Sequence, residues 1–235
     1  MNRADPNLAK VEVIAHRLGP LCAELVFVGG CAAGLLLTDA AAPLARVTYD
    51  IDLVAEVAAL RAYHALEEEF SRLGFVRDVS PEAPICRWRC GEVEVDLMPS
   101  DPGILGFANR WYPLAIATAQ AVELPTGGMI RLVNAPLFLA TKFEAYADRG
   151  GEDPLGSHDL EDILNVVDGR PELINEIAAS AGEVKAYLAG RCQSLLGLPH
   201  FLNYLPGLLA QDEALEIRVA TVAERLRTIV SLHQP

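Results

Sequence analysis

A chain of 235 residues, 51% of them hydrophobic, is long enough to bury a sizeable core and fits one large domain or two small ones. Its 19 Lys and Arg stand against 32 Asp and Glu, a formal net charge of −13, and neither half is basic. That balance argues against extended binding to DNA or single strands, which relies on many Lys/Arg–phosphate contacts, and leaves room for a local patch that holds an RNA end. No apolar run approaches the roughly 20 residues that span a bilayer, and Met1 to Pro6 lacks the apolar core of a signal peptide, so the expectation is a folded cytoplasmic protein with no membrane partner.

The five cysteines, Cys22, Cys31, Cys86, Cys90 and Cys192, are odd in number and form neither a CxxC pair nor a Cys/His metal spacing. They read as reduced thiols in core or strand positions. Apolar residues at Leu8, Val11, Ile14, Ala15 and Leu18 have the spacing of one helix face. Leu25 to Val28 reads as a short buried strand, and Gly29-Gly30 lead into an apolar helical run from Ala32 to Leu37. Glycines at a strand-to-helix turn either make a tight turn or let backbone N–H groups approach an anion at the positive end of the helix. Thr38 to Pro43 is a small-residue loop.

The stretch Val47 to Val54 reads as a strand containing Asp50-Ile51-Asp52. Alternation puts both carboxylates on one face, with Tyr49, Ile51 and Leu53 on the other. Adjacent like charges are costly unless a cation sits between them, so the pair is either a site for a hard divalent ion, Mg²⁺ or Mn²⁺, or a solvated strand face. Ala58 to Leu73 predicts a helix with Leu60, Tyr63, Leu66, Phe70 and Leu73 inward, Glu67 to Glu69 in water, and Gly74 as its cap.

Ile85 to Arg89 and Val93 to Met98, joined by Cys90-Gly91-Glu92, predict a hairpin. In its second strand Val93, Val95 and Leu97 alternate with Glu92, Glu94 and Asp96. Asp96 supplies a third carboxylate if this strand neighbours the Asp50–Asp52 strand, and is otherwise part of a wet face. Arg87 and Arg89 share a face that either pairs with these acids or binds phosphate. Trp111 and Tyr112 either stack on a base or cover the sheet edge. Val122 to Leu124 and Met129 to Leu132 flank Pro125 to Gly128 as a second hairpin.

After Pro136 the pattern is helical. Leu137, Ala140, Phe143, Glu144 and Ala147 follow helical spacing with Lys142 near the middle, and Arg149 to Pro154 breaks the run. Lys142, one of three lysines, is either a point charge for phosphate or a surface residue. The next helix opens at Ser157-His158, where Asp159 and Asp162 suit the dipole at its start. Pro171 to Gly190 and Asp212 to Leu232 add further helices. The fold class is therefore α/β (α+β), a mixed sheet flanked by helices over residues 1–135, with a helical C-terminal layer or subdomain over 136–235.

Gly29-Gly30, then Asp50-x-Asp52, then Asp96 on a later strand, resemble the nucleotidyltransferase superfamily of DNA polymerase β. With Lys142 and Asp159-Leu160-Glu161-Asp162-Ile163 on following helices, the chain is more specifically similar to the AbiEii/AbiGii-type toxins of toxin–antitoxin systems. Cys31 stands where that family usually has Ser or Thr. The resemblance implies that Asp50, Asp52 and Asp96 ligate Mg²⁺ or Mn²⁺ and that Gly29, Gly30 and Cys31 open the nucleotide-binding helix. It further implies that Lys142 contacts the triphosphate and that Asp159, or Asp162 one turn on, is the later motif acid. The implied substrate is a nucleoside triphosphate, the implied acceptor an RNA end, a protein hydroxyl or a small molecule, and the implied partner an antitoxin. The rival expectation is a nucleotide- or partner-binding protein without turnover.

Overall fold

The computed structural model describes residues 4–149 and 154–233; the break expected at 150–153 lies outside the described residues. The chain divides into two compact units. Among the described residues, a sheet unit comprises 4–35 and 46–134, and a helical unit takes in 36–45, 135–149 and 154–233.

The sheet unit opens with α1 (Leu8–Leu18), whose buried residues are Leu8, Val11, Ile14, Ala15 and Leu18, the five that the spacing predicts. Its strands are β1 (Leu25–Val28), β2 (Asp50–Ala55), β3 (Val76–Arg77), β4 (Arg87–Cys90), β5 (Val93–Pro99), β6 (Gln120–Glu123) and β7 (Met129–Leu132). Among the described residues they form one mixed sheet in the order β3-β4-β5-β2-β1-β7-β6. β1 runs antiparallel to β2 and parallel to β7, while β2 runs parallel to β5. The central position of β1 accounts for its composition, since all four residues are buried and a strand covered on both faces reads as a continuous apolar run.

Two expectations are corrected here. The strand starts at Asp50 rather than Val47, because its ladder with β5 begins at Asp50, opposite Glu94, and β1 pairs only from Asp52 onward. The residues before it are held by α1's cap instead: Thr48 N donates to Asn7 Oδ1 at 2.8 Å and Asn7 Nδ2 donates to the Arg46 carbonyl at 2.8 Å. Tyr49 is accordingly not on the apolar strand face; it is 79% exposed, with the Lys10 ammonium 5.5 Å from its ring centre. The second correction is that α2 spans Gly29–Leu36, so the glycines belong to the helix.

Parallel strands place paired residues on the same face, and this fixes the site. Ile51, Leu53, Val95 and Leu97 are fully buried. Asp50 is paired with Glu94 and Asp52 with Asp96, so these four acids share the opposite face. The intervening helix α3 (Leu60–Arg72) buries Tyr63 and Phe70, whereas Leu60 stays half exposed at its first turn. The Tyr63 hydroxyl donates to the Leu97 carbonyl at 2.8 Å, anchoring α3 to β5. Trp111 and Tyr112 are buried, and the Tyr112 hydroxyl contacts Met98 Sδ at 3.2 Å; they cover the sheet rather than present a stacking surface.

The helical unit contains α6 (Ala135–Asp148), α7 (His158–Gly169), α8 (Leu173–Ala179), α9 (Gly182–Leu196), the short α10 (Phe201–Tyr204) and α11 (Leu215–Ser231); the short α4 (Pro102–Leu105) and α5 (Tyr112–Ala117) precede them in the sheet unit. α11 packs on α9 and α7, and α6 packs on α7 and α9. The small-residue loop is fastened to this unit. Thr38 N and Asp39 N both donate to the Gly169 carbonyl, at 3.1 and 3.0 Å, and Arg170 Nη1 donates to the Leu36 carbonyl at 2.6 Å. A Cβ at Gly169 would lie 2.7 Å from Leu37 Cδ2 and 2.9 Å from the Ala42 methyl, so the small residues permit a backbone approach that larger ones would block.

Candidate metal centre

Alternation and register together gather the three predicted aspartates. One carboxylate oxygen from each of Asp50, Asp52 and Asp96 falls within 4.8 Å of the others. Asp96 is buried, whereas Asp50 and Asp52 are partly open to solvent. Hard oxygen donors at this separation fit a divalent ion such as Mg²⁺ or Mn²⁺, and their mutual repulsion favours a cation among them.

Gly29 makes the arrangement possible. It follows Val28, which pairs with Asp52, and takes a left-handed backbone, φ +67°. A Cβ there would sit 1.7 Å from Asp52 Oδ2. Glycine is therefore required twice, for the dihedral and for the space that the Asp52 carboxylate occupies. Gly30 and Cys31 follow in the first turn of α2. The Cys31 thiol is fully buried and donates to the Val28 carbonyl at 3.1 Å.

Arg87, on the strand beyond β5, reaches into the same acids. It is paired with Asp96 in the β4–β5 ladder. Its Nε and Nη2 donate to the two oxygens of Asp96, each at 2.8 Å. Nη2 also reaches Asp50 Oδ2 at 3.2 Å, and Nη1 donates to Glu94 Oε2 at 2.7 Å. The hydrogen bonds that Arg87 donates to Asp96 lead the causes that raise the guanidinium's pKa and keep it charged. Of the two readings open for Arg87 and Arg89, pairing with acids holds, for Arg89 binds Asp78 at 2.7 Å and Glu94 at 2.9 Å. Burial, and then the charge of Asp96, push the neighbouring Cys86 thiol up to about 12. All five cysteines are free and buried.

Glu94 was not predicted as a member of this site, and Arg87 was expected to pair with the acids or bind phosphate without being placed in it. Glu94 lies two residues before Asp96 on an alternating strand, and that spacing is the signal that places it on the same face.

Lys142 and Asp159 belong to the helical unit, where they meet each other. The Lys142 ammonium lies 3.0 Å from Asp159 Oδ1 and 2.7 Å from Asp162 Oδ2, and Arg149 also pairs with Asp159. Lys142, Asp159 and Asp162 are buried, Asp162 completely, while Arg149 is exposed. Asp159 does lie in the first turn of α7, as the sequence predicts, but the helix dipole is not the whole account of the two aspartates. Ser157 caps α7, accepting from Leu160 N at 3.3 Å, while the two aspartates turn inward to a buried lysine.

No protein-family model matches the chain, and no curated protein matches it. Among solved structures it is similar to the antibiotic-resistance factor ANT(2'')-Ia, with 18% identity over 83% of this chain and 98% of the other and a TM-score of 0.44. It is similar also to JHP933 from Helicobacter pylori, with 12% identity over 99% and 94% and a TM-score of 0.49. A further H. pylori structure, provisionally named a nucleotidyltransferase, has 12% identity over 99% and 97% and a TM-score of 0.46. Likeness of this degree decides nothing about chemistry, which rests on the geometry above. Among the described residues no helix is long and apolar enough to cross a membrane.

Proposed function

We propose that this protein is a metal-dependent nucleotidyltransferase that moves a nucleoside monophosphate from a nucleoside triphosphate to an acceptor hydroxyl. The observation that carries this reading is the convergence of Asp50, Asp52 and Asp96 within 4.8 Å beside a glycine turn that opens a helix. Asp50, Asp52 and Asp96 would hold Mg²⁺ or Mn²⁺, which would neutralise charge on the entering and leaving oxygens. Gly29 and Gly30 give phosphate oxygens close access to the backbone at the start of α2. The acceptor oxygen attacks the α-phosphorus as the bond to the β-phosphate oxygen breaks; pyrophosphate departs, and the hydroxyl proton passes to the Asp96 side of the site.

The acceptor is an RNA end, a protein hydroxyl or a small molecule, and a toxin role with an antitoxin partner follows if the acceptor is essential to growth. Lys142 reaches a phosphate only by giving up Asp159 or Asp162, so its contact with the triphosphate is the step that nucleotide binding by a Lys142→Met variant examines. Transfer of radiolabelled nucleotide from an α-labelled triphosphate to cell extract tests the whole reading. Label transfer by the wild type that disappears in Asp52→Ala supports it, and equal transfer by both proteins contradicts it.

A second reading, nucleotide or partner binding without turnover, is favoured by Cys31, whose thiol is committed to the Val28 carbonyl and is a weaker donor to phosphate than a hydroxyl. Metal-dependent triphosphate binding with no pyrophosphate release across varied acceptors would select it.

A further inference from the structure

We propose that Arg87 is a displaceable counter-cation, one that holds the aspartate cluster together before the metal enters and gives up its bridge between Asp50 and Asp96 when the metal binds. The inference rests on the metal-site reading above and concerns how the site is filled. A guanidinium normally pairs with one carboxylate as a fork. Arg87 does this with Asp96, through Nε and Nη2 at 2.8 Å each, and then continues to two further acids. The same Nη2 lies 3.2 Å from Asp50 Oδ2, so one nitrogen stands between the Asp50 and Asp96 oxygens where a cation bridging those residues would stand. Both require the same lone pairs, and two positive charges cannot share that place without repulsion.

Arg87 also has somewhere to go. Its Nη1 is already on Glu94 at 2.7 Å, and Glu94 is paired across the ladder with Arg89 and beside Asp50. Rotation about the terminal bonds of the side chain keeps the Glu94 contact while releasing Asp50. The arginine is only partly buried, with 19% of its side chain exposed, and Asp50 has 36% exposed, so water can accompany the exchange. A wholly buried pair would resist it.

The consequence is that the wild-type metal affinity is set by competition with a side chain. Titration of Mn²⁺, followed by the electron paramagnetic resonance of the free ion, measures it in the wild type and in Arg87→Gln, Arg87→Lys and Asp52→Asn. Arg87→Gln is expected to bind Mn²⁺ about tenfold more tightly, or better, because the competing charge is gone. Arg87→Lys should fall between, since an ammonium keeps the charge but lacks the fork that spans two acids. In the wild type, the Arg87 Nε–Hε resonance should shift on saturation with Mg²⁺. Equal or weaker Mn²⁺ binding by both arginine variants, or an Arg87 resonance unmoved by Mg²⁺, overturns the proposal while leaving the metal centre standing, provided Asp52→Asn abolishes the wild-type binding. If wild type and variants alike fail to bind Mn²⁺ at millimolar concentration, the metal-site reading fails and this proposal with it.

Discussion

The two units each set carboxylates around a central basic side chain, with a more exposed arginine, Arg149 or Arg89, at the margin, and the difference between the centres lies in water. In the helical unit Lys142 sits between Asp159 and Asp162 with 9%, 4% and 0% of the respective side chains exposed. In the sheet unit Arg87 faces Asp50, Glu94 and Asp96 with 19% of its own side chain exposed and 36% of that of Asp50. A dry cluster resists exchange of its cation, because removing one partner strands a buried charge. A wet one can, because solvent screens the intermediate. The first is thus a fastening between α6 and α7, and the second a place where a cation can be traded.

That contrast orders the expected effects of mutation. Lys142→Met should cost the most, about 3–5 kcal/mol of stability by urea denaturation, since it removes the buried ammonium from the two buried carboxylates and leaves Asp159 to the exposed Arg149; a loss under about 1 kcal/mol would erase the distinction between the clusters. Gly29→Ala should cost about 3 kcal/mol and also weaken Mn²⁺ binding, because the new methyl must take the space of the Asp52 carboxylate. Unaltered metal affinity in that variant would separate the glycine from the site. Arg87→Gln should cost less, about 1–3 kcal/mol without metal, since it strands the buried Asp96 but leaves Asp50 and Glu94 open to water, and added Mg²⁺ should restore the melting temperature.

An effect of a different kind is expected from pH. Burial raises the thiols of Cys22 to about 11 and of Cys192 to about 12, and burial with the charge of Asp96 raises Cys86 to about 12, from an ordinary 9. The folded chain then holds protons that the unfolded chain releases above pH 9, so their contribution is complete below pH 9 and is lost as pH rises toward 12. The melting temperature should therefore fall between pH 8.5 and 10.5 under reducing conditions, and a flat profile would contradict the burial of these thiols. Smallest of all, Arg72→Ala removes pairs with Glu68 and Glu69 at a surface where 64% of the arginine is exposed, and should change stability by less than about 0.5 kcal/mol.

Much of the sheet unit was legible in the sequence because its signals are local. The helix face of α1, the buried run of β1 and the alternation of β5 each depend on neighbours within a few residues. The pairing of β2 with β5 was not legible. It joins strands separated by α3, β3 and β4 in the chain, and no local pattern states whether Asp52 meets Asp96 or slides past it. Arg87 illustrates the same limit: alternation puts Arg87 and Arg89 on one face, but only the register decides that Arg87 faces Asp96 while Arg89 faces Glu94. In the helical unit the inward turn of Asp159 and Asp162 was hidden by a sufficient local explanation, the helix dipole. The attachment of residues 36–45 to Gly169, Arg170 and Arg218 was hidden by more than a hundred residues of separation; Arg218 Nη2 alone reaches back to the Ala41 carbonyl at 3.1 Å.

The central claim is that the aspartates of the sheet unit bind a divalent ion that in turn holds a nucleotide. Calorimetric titration of each nucleoside triphosphate into the wild type and Asp52→Asn, with and without Mg²⁺, tests it most directly. The account predicts binding by the wild type that requires Mg²⁺ and is lost in Asp52→Asn while the variant's melting curve stays cooperative. Binding of equal strength in the two proteins, or in the wild type with and without Mg²⁺, would contradict it.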